Sequence, residues 1–151
     1  MTESFTQRYF WGGHSNPASV WTAIASFPLV VLALYRRDLR LLAAAASLTG
    51  LTALAFPEPD DDSAWATQVV RGEQVWLDRG LASSPLDLLV IVAGAPVILG
   101  TFRAALRQRP LRTAIGTVLS ILVMFVFFER MHRLYEQSTE SQTGEQVVST
   151  T

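Results

Sequence analysis

The sequence predicts an all-α integral membrane protein: a transmembrane bundle of four helices, arranged as two helical hairpins, with an amphipathic surface helix in the central outer loop. The stretch 17–35 carries no charge over 19 residues, and the stretch 41–57 carries none over 17. About 17 to 25 apolar residues suffice for a helix to cross a bilayer. A basic turn at 36–40 separates the two stretches, and the second half of the chain repeats this plan.

The composition fits a membrane protein whose polar residues are segregated from its apolar ones. Half of the 151 residues are hydrophobic, yet the mean hydropathy is only +0.28, because the ends and the central loop are polar. We expect one integral membrane domain over 1–137 and a disordered polar tail over 138–151, where no periodicity is found. Cysteine is absent, which excludes disulfides, thiolate catalysis and cysteine metal sites.

The first span is predicted at about 17–35. Asn16 and Pro17 precede it as a typical helix start, since asparagine caps free amides and proline loses no hydrogen bond at the first helical position. Pro28 lies inside the span, where it removes one backbone hydrogen bond and is expected to kink the helix.

The second span, at about 39–56, is rich in alanine. Helices approach each other closely in lipid where small residues face one another, and Ala46 and Gly50 have the required spacing of four. The pattern therefore indicates a contact face, although a helix that is simply alanine-rich would give the same pattern.

The central loop begins with two prolines and four carboxylates at 57–62, which cannot lie in hydrocarbon. Behind them Trp65, Val69, Gly72 and Trp76 fall on one stripe of a helix, so a surface helix is predicted at about 63–78. This helix either lies on the membrane with its tryptophans at headgroup depth or forms a lid over the end of the bundle.

The third and fourth spans are predicted at about 85–103 and 111–128. Asp87 follows a Ser-Pro helix start and is interpreted as a helix cap. Pro96 is expected to bend the third span. Gly116 and Ser120 form a second pair of small residues with the spacing of a contact face.

The arginines predict the orientation. All 12 basic residues are arginine, and the turns at 36–40 and 103–112 hold seven of them with a single aspartate. The rest of the chain holds five arginines and twelve acidic residues. Short cytoplasmic loops carry an excess of arginine and lysine. We therefore expect both turns on the cytoplasmic side of the cell membrane and both termini on the outer side.

The candidate functional residues fall on the outer side. A ligand-binding site at the outer mouth of the bundle would be built from six of them: His14, Asn16, Asp62, Glu73, Glu129 and Arg130. A metal site would use His14, Glu129 and His132, since the i, i+3 spacing of the last two places both on one helix face. The alternative is an ordinary helix end with Glu129–Arg133 and His132–Glu136 as i, i+4 pairs.

Several short motifs resemble a family of small uncharacterised membrane proteins found largely in halophilic archaea. The first is the segment 14–21, with the pattern His-x-Asn-Pro-x-Ser-x-Trp; others are Asp-Asp-x-x-Trp at 61–65, Gly-Glu at 72–73 and Arg-Met-x-x-Leu-Tyr at 130–135. That family continues the first motif with Thr-Arg, whereas this chain has Thr22-Ala23. The resemblance implies a small multi-span protein and transfers no catalytic role.

Two function classes follow from these observations. The first is a structural or accessory membrane component, whose partners are the lipid bilayer and, through its small-residue faces, a second copy of the chain or another membrane protein. The second is a small membrane enzyme or binding protein with a ligand or metal at the outer mouth. The sequence indicates no particular cofactor, and the net charge of −1 gives no indication of nucleic-acid binding.

Overall fold

The computed structural model describes residues 11–81 and 84–149, with side chains described as far as 142, and all regular structure within these ranges is helical. The helices are α1 (Gly12–His14), α2 (Pro17–Arg36), α3 (Leu39–Ala55), α4 (Trp65–Arg79), α5 (Pro85–Leu106) and α6 (Pro110–Ser149). The first ten residues of the predicted membrane domain, and positions 82–83 and 150–151, lie outside the described ranges.

The structure confirms the all-α class and contains three helices that are long and apolar enough to cross a membrane. They are α2, α5 and the part of α6 that runs from Pro110 to Gln142. The remaining apolar helix, α3, has 17 residues and is shorter than these. Two of the three long helices continue through an internal proline, Pro28 in α2 and Pro96 in α5.

Local chemistry explains the first hairpin. Asn16 caps α2, because its side-chain oxygen accepts a hydrogen bond from the Ala18 amide. Arg37 then ends α2 in the left-handed conformation, with φ of 55°. Asp38 caps α3 by accepting hydrogen bonds from the amides of Arg40 and Leu41. The predicted basic turn is therefore a tight connection between two antiparallel helices.

The two short turns lie at the same end of the molecule. The Arg37 guanidinium donates to the carbonyl of Leu106 at 3.1 Å, and the Gln108 amide donates to the carbonyl of Tyr35 at 3.3 Å. The first hairpin and the α5–α6 hairpin are thus tied together where their arginines are concentrated, and the central loop lies at the opposite end.

The central helix α4 packs against α2 and against the part of α6 that lies far from the two short turns. One face buries Val69 against Met131 and Leu134 of α6. A neighbouring face, which includes Val70, packs near Val20 of α2. The helix α4 is therefore packed along one side onto two other helices, α2 and α6.

The two small-residue pairs differ in their surroundings. Ser120 is fully buried, and its hydroxyl lies 3.0 Å from that of Thr101 across the α5–α6 contact, while a Cβ at Gly116 would overlap the Thr101 side chain. Ala46 and Gly50 are exposed, and a Cβ at Gly50 would meet nothing within 4 Å. The structure therefore uses only the second pair as a contact within the described chain.

In the tail, α6 continues to Ser149, and disorder over 138–151 stays a prediction. Polar composition keeps these residues out of a core, but it does not prevent them from continuing a helix that has already formed. Hydroxyl groups also bond back to carbonyls one turn earlier, from Thr139 to Tyr135 and from Ser141 to Gln137.

Candidate functional site

Arg71 of α4 is the centre of an ion-pair cluster at the end of the molecule that holds the central loop. Its Nη2 lies 2.7 Å from Glu58 Oε1, and its Nε lies 3.3 Å from Asp62 Oδ1. Burial disfavours the charge of the guanidinium, but hydrogen bonds to Glu58 and Asp62 outweigh this and raise the pKa of Arg71 above its ordinary value. The arginine thus fixes the proline-rich loop after α3 onto α4.

Asp62, one of the predicted site residues, is held from several directions. Its carboxylate also accepts a hydrogen bond from the Tyr135 hydroxyl at 3.3 Å, and its backbone carbonyl accepts one from Gln68 at 2.8 Å. Tyr135 belongs to α6, so this carboxylate joins the loop to both α4 and α6. Arg71 and Tyr135 thus occupy one acceptor site on each oxygen of the Asp62 carboxylate.

His14 and Glu73, predicted as members of one site, do come together. His14 Nε2 lies 3.8 Å from Glu73 Oε2, with both side chains partly exposed, and Trp11 packs its ring edge against the imidazole. The pair links the N-terminal segment to α4. A histidine beside a carboxylate at an open surface is chemically able to bind a polar ligand or to exchange a proton.

Asn16 has a structural role in both halves of its side chain. Besides capping α2 through its oxygen, it donates from Nδ2 to the carbonyl of Pro57 at 3.0 Å. The start of α2 and the end of α3 are therefore at the same level. Asn16 therefore contacts the central loop, and its partner there is a backbone carbonyl.

Arg130 pairs with Asp87, which the sequence analysis interprets as a helix cap. Its Nε lies 2.5 Å from Oδ1 of Asp87, whose side chain is only 1% exposed. The interpretation of Asp87 as a helix cap is therefore corrected, since its carboxylate points across to α6. The Ser84 side chain makes no cap hydrogen bond either. An isolated acid at the start of an apolar helix was the one sequence feature that pointed to this pair.

Glu129 and His132 form the i, i+4 pairs expected of an ordinary helix end. Glu129 Oε1 lies 3.0 Å from Arg133 Nε, and His132 Nε2 lies 3.6 Å from Glu136 Oε1. Within the described ranges no group of three or more His, Cys, Asp or Glu side chains is arranged to hold a metal ion. The structure thus does not bring together His14, Glu129 and His132 as metal ligands.

An aromatic cluster joins the three helices that meet at this end. Trp21 of α2 stacks on Trp65 of α4 with ring centroids 5.8 Å apart, and Trp65 stacks on Phe125 of α6 at 6.2 Å. Phe128 meets Trp65 edge to face. Stacked and edge-to-face rings stabilise a contact beyond the area they bury. The sequence showed the individual aromatics but not their meeting point.

Comparison with protein families matches almost the whole chain. The sequence model of a family of unknown function, DUF6653, matches residues 4–151. Neither the comparison with curated proteins nor the comparison with solved structures gives a match.

Proposed function

The chain belongs to the DUF6653 family of unknown function, and from that premise we propose that it is a structural or accessory component of the cell membrane, with four spans and both termini outside. The apolar helices are compatible with a membrane protein. Contacts at the two ends of the molecule support the number of spans, the orientation and the role.

The hydrogen bond between Asn16 and Pro57 supports the fourth span. It joins the first residue before α2 to the segment just after α3, while residues 37–38 connect the same helices at the other end. If α2 crosses the bilayer, α3 therefore runs the same depth in return. Its 17 residues lie at the lower limit of about 17 to 25 for a crossing helix.

The meeting of the two short turns supports the orientation. Contacts from Arg37 and Gln108 place both arginine-rich turns at one end, whereas the acidic central loop lies at the other. Excess arginine in short loops is typical of the cytoplasmic side. We therefore infer that the turns face the cytoplasm.

The pairing of ionisable groups at the outer end is the observation that carries the structural role. Arg71 pairs with carboxylates of the loop before α4, and Arg130 of α6 pairs with Asp87 of α5. Charges used in this way hold elements together, whereas a catalytic site needs polar groups that converge on open space. These ion pairs, which we call the outer cap, therefore indicate a structural role more than a catalytic one.

The stability of cap variants tests the role. Arg71→Gln and Asp62→Asn are expected to lower the thermal midpoint of the detergent-purified protein, while Arg79→Gln, at an exposed arginine of the same helix, leaves it unchanged. Removal of a group that serves catalysis commonly leaves stability equal or higher, because functional sites are strained. Unchanged or raised midpoints for both cap variants contradict the structural role.

Single cysteines test the orientation, since the chain has none of its own. We expect Asp60→Cys to react with a membrane-impermeant maleimide in intact cells. Arg40→Cys and Arg107→Cys should react only after the cells are permeabilised. Reaction of either turn in intact cells contradicts the orientation.

The His14–Glu73 contact favours a second candidate, a small ligand-binding protein with its site at the outer mouth. Glu73→Gln should then abolish ligand-induced stabilisation in a thermal screen of small polar compounds, whereas Asp78→Asn, an exposed carboxylate on the same helix, should preserve it. If no compound stabilises the unmodified protein, this candidate is excluded for the compounds screened.

A further inference from the structure

We propose that the groove between α5 and α6 at the arginine-rich end binds one anionic phospholipid, with the phosphate at the arginines and an acyl chain in the groove. The inference rests on the proposed spanning of the membrane by α5 and α6. It goes beyond the structural role, because it assigns a specific ligand class to a specific surface.

The groove has the shape of a site for an extended apolar group. It encloses about 370 Å³, within the roughly 300–1,000 Å³ typical of small-molecule sites. Pro96 and Val97 of α5 form one wall, and Ile115 and Leu119 of α6 form the other. Each wall belongs to an apolar helix, so the groove opens toward the hydrocarbon in the proposed placement.

Glycine creates the space in the groove. Gly100 lies on its floor, and a Cβ there would meet nothing within 4 Å. Gly116, by contrast, faces Thr101, where a Cβ would overlap the threonine. The helices therefore approach closely at Gly116. At Gly100 the missing side chain leaves an open channel along the contact.

The mouth of the groove is strongly basic. Four arginines line it: Arg103, Arg107, Arg109 and Arg112. In the part of the chain that the structure describes, no carboxylate pairs with any of them. Their charge is available to an external anion, and guanidinium groups match phosphate geometry well. Basic pockets between transmembrane helices on the cytoplasmic side are typical sites for anionic headgroups.

A second groove on the same two helices shows what the arginines add. At the outer end, Leu86, Val90 and Val126 line an apolar groove of about 490 Å³ with Arg130 and Arg133 at its rim. Those arginines are neutralised by Asp87 and Glu129. The two grooves share their apolar character and differ in free charge, so charge complementarity selects the inner groove for an anionic lipid.

The arginine-rich turn of the other hairpin provides a matched control. Arg36, Arg37 and Arg40 lie at the same end, but the residues around them form a predominantly polar surface without an apolar channel. A lipid that responds only to the general positive charge of this end would depend equally on both turns. A lipid held in the groove would depend on the arginines at its mouth alone.

The test measures lipid retention by native mass spectrometry, using the full chain reconstituted with equal amounts of dioleoyl phosphatidylglycerol and dioleoyl phosphatidylcholine. We expect one retained phosphatidylglycerol per chain in preference to phosphatidylcholine. Arg107→Gln combined with Arg112→Gln should reduce this preference at least tenfold, since each arginine in contact with the anionic headgroup contributes about fivefold to its binding. Arg36→Gln combined with Arg40→Gln removes the same charge from the other turn and should leave the preference unchanged.

Two further measurements test whether binding needs the apolar channel and the whole lipid. Gly100→Leu places a side chain in the channel at a position where a Cβ meets no atom within 4 Å, and is expected to abolish retention of phosphatidylglycerol while the protein remains folded by circular dichroism. Inorganic phosphate at millimolar concentration should not displace the lipid. Equal retention of both lipids, an equal effect of the double variant at Arg36 and Arg40, or displacement by phosphate overturns the proposal. The maleimide experiment tests the membrane orientation separately, so the lipid site and the proposed orientation can fail independently.

Discussion

The carboxylate of Asp87, in the first turn of α5, lies 2.5 Å from the guanidinium Nε of Arg130 in α6. The pair sets the start of α5 against α6, and the Asp87 side chain is almost fully buried in this contact. Two charges taken from water stabilise a fold little by their attraction alone, but each becomes costly when the other is removed.

Replacement of Asp87 by asparagine is therefore expected to destabilise the protein by about 3 kcal/mol, because it leaves the Arg130 charge partly buried without its partner. The midpoint of thermal unfolding in detergent measures this loss. Replacement of both residues, Asp87→Leu with Arg130→Met, is expected to recover most of it, since two apolar side chains need no pairing. A double variant no more stable than Asp87→Asn contradicts this role of the ion pair.

The sequence was sufficient for the elements whose determinants are local. Charge-free stretches predicted the apolar helices, and Asn16 and Pro17 predicted the start of α2 to the residue. Capping depends on atoms one to three positions away, and hydropathy is summed along the chain. Neither requires knowledge of what packs against the helix.

The candidate site was predicted less well because its contacts are long-range. His14 and Glu73 lie far apart in the sequence. The sequence predicts both as members of one six-residue site but does not predict that they contact each other. Asp87 was misassigned because its position in the first turn of a helix satisfies the capping rule as well as it satisfies an ion pair with a later helix. Patterns within one helix cannot distinguish these two uses of a carboxylate.

The packing of α4 on α6 predicts a sharp difference between two glycines. A Cβ at Gly72 would overlap the backbone of Met131, whereas Gly50 faces open space. Gly72→Ala is therefore expected to destabilise the protein by about 3 kcal/mol, since the helices must separate. Gly50→Ala should be neutral or stabilising by about 0.5 kcal/mol, because alanine favours the helix.

Chemical unfolding in mixed micelles measures both glycine variants. Near-ultraviolet circular dichroism reports the loss of aromatic packing at Trp65 and Trp76 in the Gly72 variant. If Gly72→Ala unfolds at the same denaturant concentration as Gly50→Ala, the close approach of α4 and α6 is wrong.

The loop before α4 predicts a local pH response. The Ser63 hydroxyl, followed by the Ser63 amide, donates to the Asp61 carboxylate and holds the pKa of Asp61 below its ordinary value of 3.8. A carboxyl whose pKa is lowered in the folded state stabilises that state fully at pH values above its ordinary pKa. This contribution is lost as the pH falls through the folded pKa. Ser63→Ala should raise the pKa of Asp61 toward 3.8, measured by carbon-detected NMR titration. An unchanged pKa contradicts the hydrogen bond.

Asn16 separates two roles that a single amide performs. Its oxygen caps α2 and its nitrogen donates to Pro57, so aspartate keeps the first contact and cannot make the second. Asn16→Ala, which loses both, is expected to cost about 2 kcal/mol, since a cap alone is worth about 0.5 to 2 kcal/mol and a hydrogen bond about 1 kcal/mol. Asn16→Asp should cost about half as much, measured by the same unfolding experiment. Equal losses for the two variants would show that the contact with Pro57, and with it the matched level of α2 and α3, is what the residue provides.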